Sequence, residues 1–236
     1  MIKIFYDAEF TGLHRNSTFI SIGIATETDS TFYAEFDDYD RSQVDDWIRD
    51  NVLSNLQYKI DNELPEPNSD PYTSWNMPLF VPGVTPKNKY SINIRGNTEY
   101  VRQELIRWLE AQAAFSEDGI LEVITDCYAY DWMLLVDLIT GGGTAINMPK
   151  YIHYIPIDLS TILWCAGIDP DINREDYAIR DNLDNILANL DLPPQSELAF
   201  KIDVNPPKHN SLFDAKVIKA CFERVFNDNS LITPFN

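Results

Sequence analysis

Met1-Ile-Lys-Ile-Phe-Tyr-Asp7-Ala-Glu9-Phe10-Thr11-Gly12-Leu13 is the stretch around which the rest of the chain is organised, because an apolar run ends abruptly in two carboxylates one residue apart. In a strand, alternate side chains point to opposite faces. Ile2, Ile4 and Tyr6 then line one face and Lys3, Phe5, Asp7 and Glu9 the other, which brings both acids together where the strand leaves the core. Two such carboxylates repel each other, and a cation between them is the natural remedy. For a motif of only two acids, the plainer alternative is a pair of solvated residues at a strand end.

Working outward, residues 18–26 and 31–36 alternate apolar with small or polar side chains around a polar turn at 27–30, which predicts an antiparallel meander of three strands. His14 falls in the first connection and reads as a solvent-facing loop residue. Val44, Trp47, Ile48, Val52, Leu53 and Leu56 recur at helical spacing and predict an amphipathic helix over 41–58. Across 61–89 the pattern fails, and prolines mix with Tyr72, Trp75 and Phe80 in an insertion packed by its own aromatics. Asn97 or Thr98 caps the next helix, whose buried stripe is Val101, Leu105, Ile106, Trp108 and Leu109. A strand at 120–125, a helix at 132–139 stopped by Gly141-Gly-Gly143, and a short strand at 154–158 leading into a helix through Trp164 follow. A second variable insertion spans 168–199, with helical spacing at 180–190 ended by Pro193-Pro194. Asn210 or Ser211 caps a closing helix whose stripe is Val217, Ile218, Cys221, Phe222 and Val225. Strands that alternate with helices in this way predict an α/β domain with a mixed sheet.

The 236 residues suffice for one domain with a substantial core. Cys127, Cys165 and Cys221 are odd in number and widely spaced, so they read as buried thiols of a reducing compartment. Neither a secretory signal nor a membrane-spanning run is expected, which points to a soluble cytoplasmic protein without membrane partners. The net charge of −19 argues against a protein that coats nucleic acid by broad phosphate neutralisation. An enzyme gripping a few nucleotides remains compatible with it, given metal ions and a local cluster of basic or aromatic side chains.

Three pieces of the chain together carry a resemblance. Asp7-Ala-Glu9-Phe-Thr-Gly-Leu13, Tyr128-Ala-Tyr-Asp131 and His209-Asn-Ser-Leu-Phe-Asp214-Ala resemble the three motifs of the DEDDh-type 3′–5′ exonucleases, most closely the bacterial and phage exoribonuclease branch. The resemblance implies a ribonuclease H-like mixed sheet, antiparallel in its first three strands and then parallel, flanked by helices. It covers nearly the whole chain and treats 1–236 as one exonuclease domain.

Phosphodiester cleavage needs a nucleophilic water, neutralisation of the phosphate and stabilisation of the leaving 3′ oxygen, which two divalent ions can supply together. Mg²⁺ and Mn²⁺ prefer hard oxygen ligands, which Asp and Glu provide. By resemblance, Asp7, Glu9, Asp131 and Asp214 hold two such ions and His209 takes the proton from water. His209 and Asp214 stand about 140° apart on an ideal helix, so His209 belongs to the loop before the helix and Asp214 to the helix itself.

Each member has a bland counterpart. Asp131 could only complement the positive end of its helix, Asp126 competes for its role, Asp158 reads as a helix cap, and His209 alone would be an ordinary surface histidine. Two departures from the family pattern stand out. Phe10 replaces a frequent Thr, and the Asn often found before the second-motif Asp is missing. The retained Thr11-Gly12-Leu13 is expected to receive the terminal nucleotide, with Phe10 packing in the core or stacking on a base. The implied activity is metal-dependent hydrolysis of single-stranded RNA or DNA from 3′ ends, RNA favoured, with release of nucleoside 5′-monophosphates. Homodimer formation is common in the family and stays open here. So do two rival functions: a non-catalytic nucleotide- or protein-binding module, and a hydrolase of short or cyclic oligonucleotides.

Overall fold

The structure, a computed structural model, describes residues 1–58, 91–178 and 209–228. The strands β1 (Ile2–Phe10), β2 (Phe19–Thr26), β3 (Thr31–Phe36), β4 (Ser91–Gly96), β5 (Leu121–Thr125) and β6 (Ile157–Asp158) form a six-stranded sheet in the order β4-β3-β2-β1-β5-β6. β2 runs antiparallel to both its neighbours, and every other pairing is parallel. The first three strands therefore make the expected meander, and the sheet is the predicted mixed α/β arrangement flanked by helices.

The alternation along β1 sorts the core into two layers. Ile2, Ile4, Tyr6 and Ala8 pack with Val101, Leu105, Trp108 and Leu109 of α2 (Thr98–Ala113) and with Trp132, Leu135 and Ile139 of α3 (Tyr128–Thr140). On the opposite face, Phe5 and Ile124 meet Leu159 and Leu163 of α4 (Leu159–Cys165) and Val217, Ile218, Cys221, Phe222 and Val225 of α5 (Ser211–Asp228). Each such side chain taken fully out of water contributes about 1.5–3 kcal/mol before entropy is counted. Both layers close over the middle of the sheet, and this leaves the carboxyl end of β1 as the rim where Asp7 and Glu9 emerge.

The caps follow the sequence. Asn97 accepts from the Tyr100 amide at the start of α2, Asp158 from the Thr161 amide at the start of α4, and Asn210 from the Phe213 amide at the start of α5. Gly141 ends α3 in the left-handed region at φ 66°.

Four expectations are corrected. The helix predicted over 41–58 is broken into a 3-10 turn (Arg41–Gln43), α1 (Asp46–Asn51) and a second 3-10 turn (Leu53–Asn55). Asp40 and Asp45 each cap a new start, while Asn51, Ser54 and Asn55 bond the carbonyl four residues back and compete with the helix ladder. Ile48, Val52 and Leu56 do bury against Ile20 and Tyr39, but Trp47 is 54% exposed. β4 is not announced by the sequence pattern; it pairs with β3 at the sheet edge and buries only Ile92 and Ile94. α3 begins at Tyr128 rather than Trp132, and only Ile157–Asp158 of the strand expected at 154–158 is paired. Cys221 is buried, whereas Cys127 and Cys165 are exposed free thiols.

The insertion expected at 61–89 lies outside the described residues, as do the helix expected at 180–190 and Pro193-Pro194. Of the second insertion, 168–178 is described, with Tyr177 and Ala178 buried against the α5 layer. Among the described residues no helix is long and apolar enough to cross a membrane.

Candidate metal centre and active site

Asp7 and Glu9 leave β1 on the face covered by α5, and their ladder partners on β2 are Gly23 and Ser21. Both partners are small, and this decides how near α5 can come. A methyl group at Gly23 would lie 2.2 Å from the backbone of Ser211 and Leu212, so only glycine admits the helix here. Ser21 Oγ and Ser211 Oγ share a buried hydrogen bond of 3.0 Å. A bulge between Glu9 and Phe10 then turns the chain away from the sheet.

The second contribution comes from the carboxyl end of β5. The parallel register pairs Phe5 with Ile124, so two residues further on Asp126 stands beside Asp7. Asp131 lies in the first turn of α3, is only 2% exposed, and accepts a 2.7 Å hydrogen bond from the Thr125 hydroxyl. Arg174 holds Asp126 from the far side, with Nε 3.3 Å from Oδ2. Its other nitrogens donate to Ser160 Oγ at 2.7 Å and to the Ile172 carbonyl at 3.0 Å.

The third contribution comes from the start of α5. Asp214 lies in its first turn, and its amide donates to the carbonyl of the capping Asn210 at 2.9 Å. His209 precedes the cap in a left-handed conformation, φ 63°, which few residues other than glycine adopt without cost. Its Nδ1 is 3.8 Å from Glu9 Oε1, and the Trp47 ring meets the imidazole edge-on with centroids 5.0 Å apart.

All five residues predicted for the chemistry, Asp7, Glu9, Asp131, His209 and Asp214, line one cleft of about 460 Å³ together with Asp126 and Arg174. Glu9, His209 and Asp214 each offer a ligand atom within 4.8 Å of the other two, and Asp7, Asp126 and Asp131 do the same. Burial and mutual repulsion raise the carboxyls of Asp7, Glu9 and Asp131 well above their usual range. Burial, then Asp214 and Asp131, pushes Glu9 up to about 8. Burial, with Asp126 adding to it against the Thr125 hydrogen bond, pushes Asp131 up to about 8. Asp7 is also raised well above its ordinary value, by burial first and then by Asp131, Asp214, Glu9 and Asp126. Asp7 Oδ2 is buried without a hydrogen-bond partner. An orphaned carboxylate oxygen inside a ring of hard oxygen donors fits a small divalent cation, which would reverse each of these shifts.

The residues expected to receive substrate divide. Phe10 and Leu13 line the cleft, and Phe10 stacks on Tyr130 at 6.0 Å. Thr11 is 2% exposed; its hydroxyl bonds to Gln43 and accepts from the Thr18 amide, so it braces the loop. Gly12 does not line the cleft either; its φ of 151° turns the chain so that Leu13 projects with 68% exposure. His14 is exposed, as expected.

The sequence pattern does not single out Arg174, Trp47, Tyr130 or Gly23. It raises Asp126 only as a rival to Asp131, although both belong. The parallel pairing of two strands that each end in an acid is the signal for Asp126.

No protein-family model matches the chain, and no curated protein matches it significantly.

Proposed function

We propose that this chain is a metal-dependent 3′–5′ exonuclease acting on single-stranded nucleic acid, RNA favoured over DNA, and releasing nucleoside 5′-monophosphates. The observation that carries this reading is the convergence of Asp7, Glu9, Asp131, Asp214 and His209 from three distant segments on one cleft. The sheet order, with a single antiparallel strand next to the one bearing Asp7, also fits a ribonuclease H-like domain. The preference for RNA rests on the motif resemblance alone.

Asp7, Glu9, Asp131 and Asp214 would hold Mg²⁺ or Mn²⁺. When bound, two such ions supply neutralisation of the phosphate, activation of water and stabilisation of the leaving oxygen. The remaining work falls to the chain. His209, with Nδ1 beside Glu9, accepts the proton of the attacking water. Asn210 and the first turn of α5 fix the distance between that base and Asp214. Phe10, braced by Tyr130, and Leu13 offer apolar surfaces to the terminal nucleoside. A cleft of about 460 Å³ is of a size to receive a terminal nucleotide.

The test is a panel of labelled RNA and DNA oligomers, including dinucleotides, incubated with Mn²⁺ or with a chelator. Ladders that shorten one nucleotide at a time from the 3′ end only with metal are expected. Binding without shortening would replace this reading with a non-catalytic binding module, and cleavage confined to dinucleotides would make the protein a short-oligonucleotide hydrolase.

A further inference from the structure

Tyr33 and Glu35 of β3 stand directly across the ladder from Gly23 and Ser21, on the face where α5 begins, and neither side chain takes part in the chemistry described above. Glu35 is 1% exposed, an uncommon place for a carboxylate. Its Oε1 accepts three hydrogen bonds, from the Tyr33 hydroxyl at 2.7 Å, the Gln57 amide at 2.7 Å and the Tyr58 amide at 3.1 Å. The Tyr33 oxygen accepts from Asn210 Nδ2 at 3.4 Å, and the same nitrogen donates to the Asn55 carbonyl at 3.1 Å. The other end of that amide caps α5 through the Phe213 amide. Asn210 is thus gripped from both sides one peptide bond after His209, whose left-handed backbone needs its neighbours to hold it.

We propose that Tyr33 and Glu35 are positioning residues that set the imidazole of His209 through Asn210. A buried carboxylate at this place in a β-strand is otherwise a liability, and its hydrogen bonds run to Tyr33 and to residues 57 and 58, just beyond the Asn55 carbonyl that also holds Asn210. Tyr33 transmits the constraint to Asn210. Glu35 orients the Tyr33 hydroxyl so that its oxygen faces the amide.

The inference rests on the proposed role of His209, so its test has one readout that needs no activity. The Tyr33→Phe variant keeps the ring and removes the oxygen. In carbon-detected imidazole spectra, assigned with His209→Ala, the His209 resonance is expected to shift while those of His14 and His153 stay in place. Turnover is expected to fall about tenfold with KM and Mn²⁺ affinity within about twofold, as for a misplaced base. The loss is expected to vanish when His209 is already alanine. An unmoved His209 resonance, or an equal loss of turnover in the His209→Ala background, overturns the proposal. If the wild-type protein hydrolyses nothing, the functional reading fails and the resonance alone decides this one. Should Tyr33→Phe not fold, Glu35→Met, which fills the site and removes the acceptor that orients the Tyr33 hydroxyl, takes its place with the same readouts.

Discussion

Gly23 and Ser211 touch backbone to backbone: a β-carbon on Gly23 would sit 2.2 Å from the Ser211 carbonyl carbon. Gly23 is also the ladder partner of Asp7, so this contact sets the gap between the acids of β1 and those of α5. Gly23→Ala is expected to push the start of α5 off the sheet and destabilise the fold by about 1–3 kcal/mol. Thermal melting reads the loss of stability, and activity at a temperature where the variant is still folded should fall with it. An unaltered melting point with full activity would show that α5 does not seat here.

Asp7→Asn and Asp214→Asn separate chemistry from folding. Each replaces an ionisable carboxyl of a crowded site with a neutral amide, so in chelator both variants are expected to melt at or above the wild-type temperature. Each also removes a metal ligand, and loss of several kcal/mol of transition-state stabilisation lowers hydrolysis about a thousandfold or more. Mn²⁺ should raise the melting point of the wild type and leave these variants nearly unmoved.

The raised acids dictate how stability follows pH. Glu9 and Asp131, ordinarily near 4.5 and 3.8, stand at about 8 in the folded protein, so the folded state binds protons the unfolded chain has released. Stability is therefore greatest below about pH 4 as far as these two groups are concerned, and is lost as pH rises towards about 8. Melting in chelator across that window should show the decline, Glu9→Gln and Asp131→Asn should each flatten it, and saturating Mn²⁺ should abolish it. A melting point that rises steadily from pH 5 to pH 8 in chelator would contradict the assignment.

His209→Ala tests the base. General base catalysis contributes about 10²–10⁴-fold, and a loss in that range is expected in turnover. The Mn²⁺ concentration for half-maximal activity should hardly change. Because His209 also lies within ligand distance of Glu9 and Asp214, an equal loss of metal affinity would reassign it as a ligand.

Arg174→Met removes the cation that holds Asp126, whose carboxyl burial already pushes upward. Denaturant titration in chelator should show a loss of about 1–3 kcal/mol, since a mostly buried acid is left unpaired. Adding Asp126→Asn to the variant should restore part of that loss. No recovery would mean that Arg174 acts mainly through Ser160 and the Ile172 carbonyl.

Much of this molecule is legible in the sequence because period and capping act locally. The alternation in β1 places Asp7 and Glu9 on one face, and the side chains of Asn97, Asp158 and Asn210 mark helix starts that the structure keeps. The segment 41–58 misleads because its apolar spacing is helical while Asp45, Ser54 and Asn55 offer the backbone other partners. The pairing of Asp126 with Arg174, the Trp47 edge on His209 and the seat at Gly23 depend on strand order, which no local pattern encodes. The three motifs carried the four acids and His209, while the residues that pack and hold them came from elsewhere in the chain.

The separation of Asp7 from Asp214 along the chain has a consequence for biosynthesis. A ribosome must reach residue 209 before the histidine exists and residue 214 before the cleft's fourth predicted carboxylate does, and α5 must then dock before the cleft is whole. Until that moment the emerging protein holds only part of the proposed cation site. A nuclease of the proposed kind would thus stay silent until residues 209–228 have been made and α5 has docked.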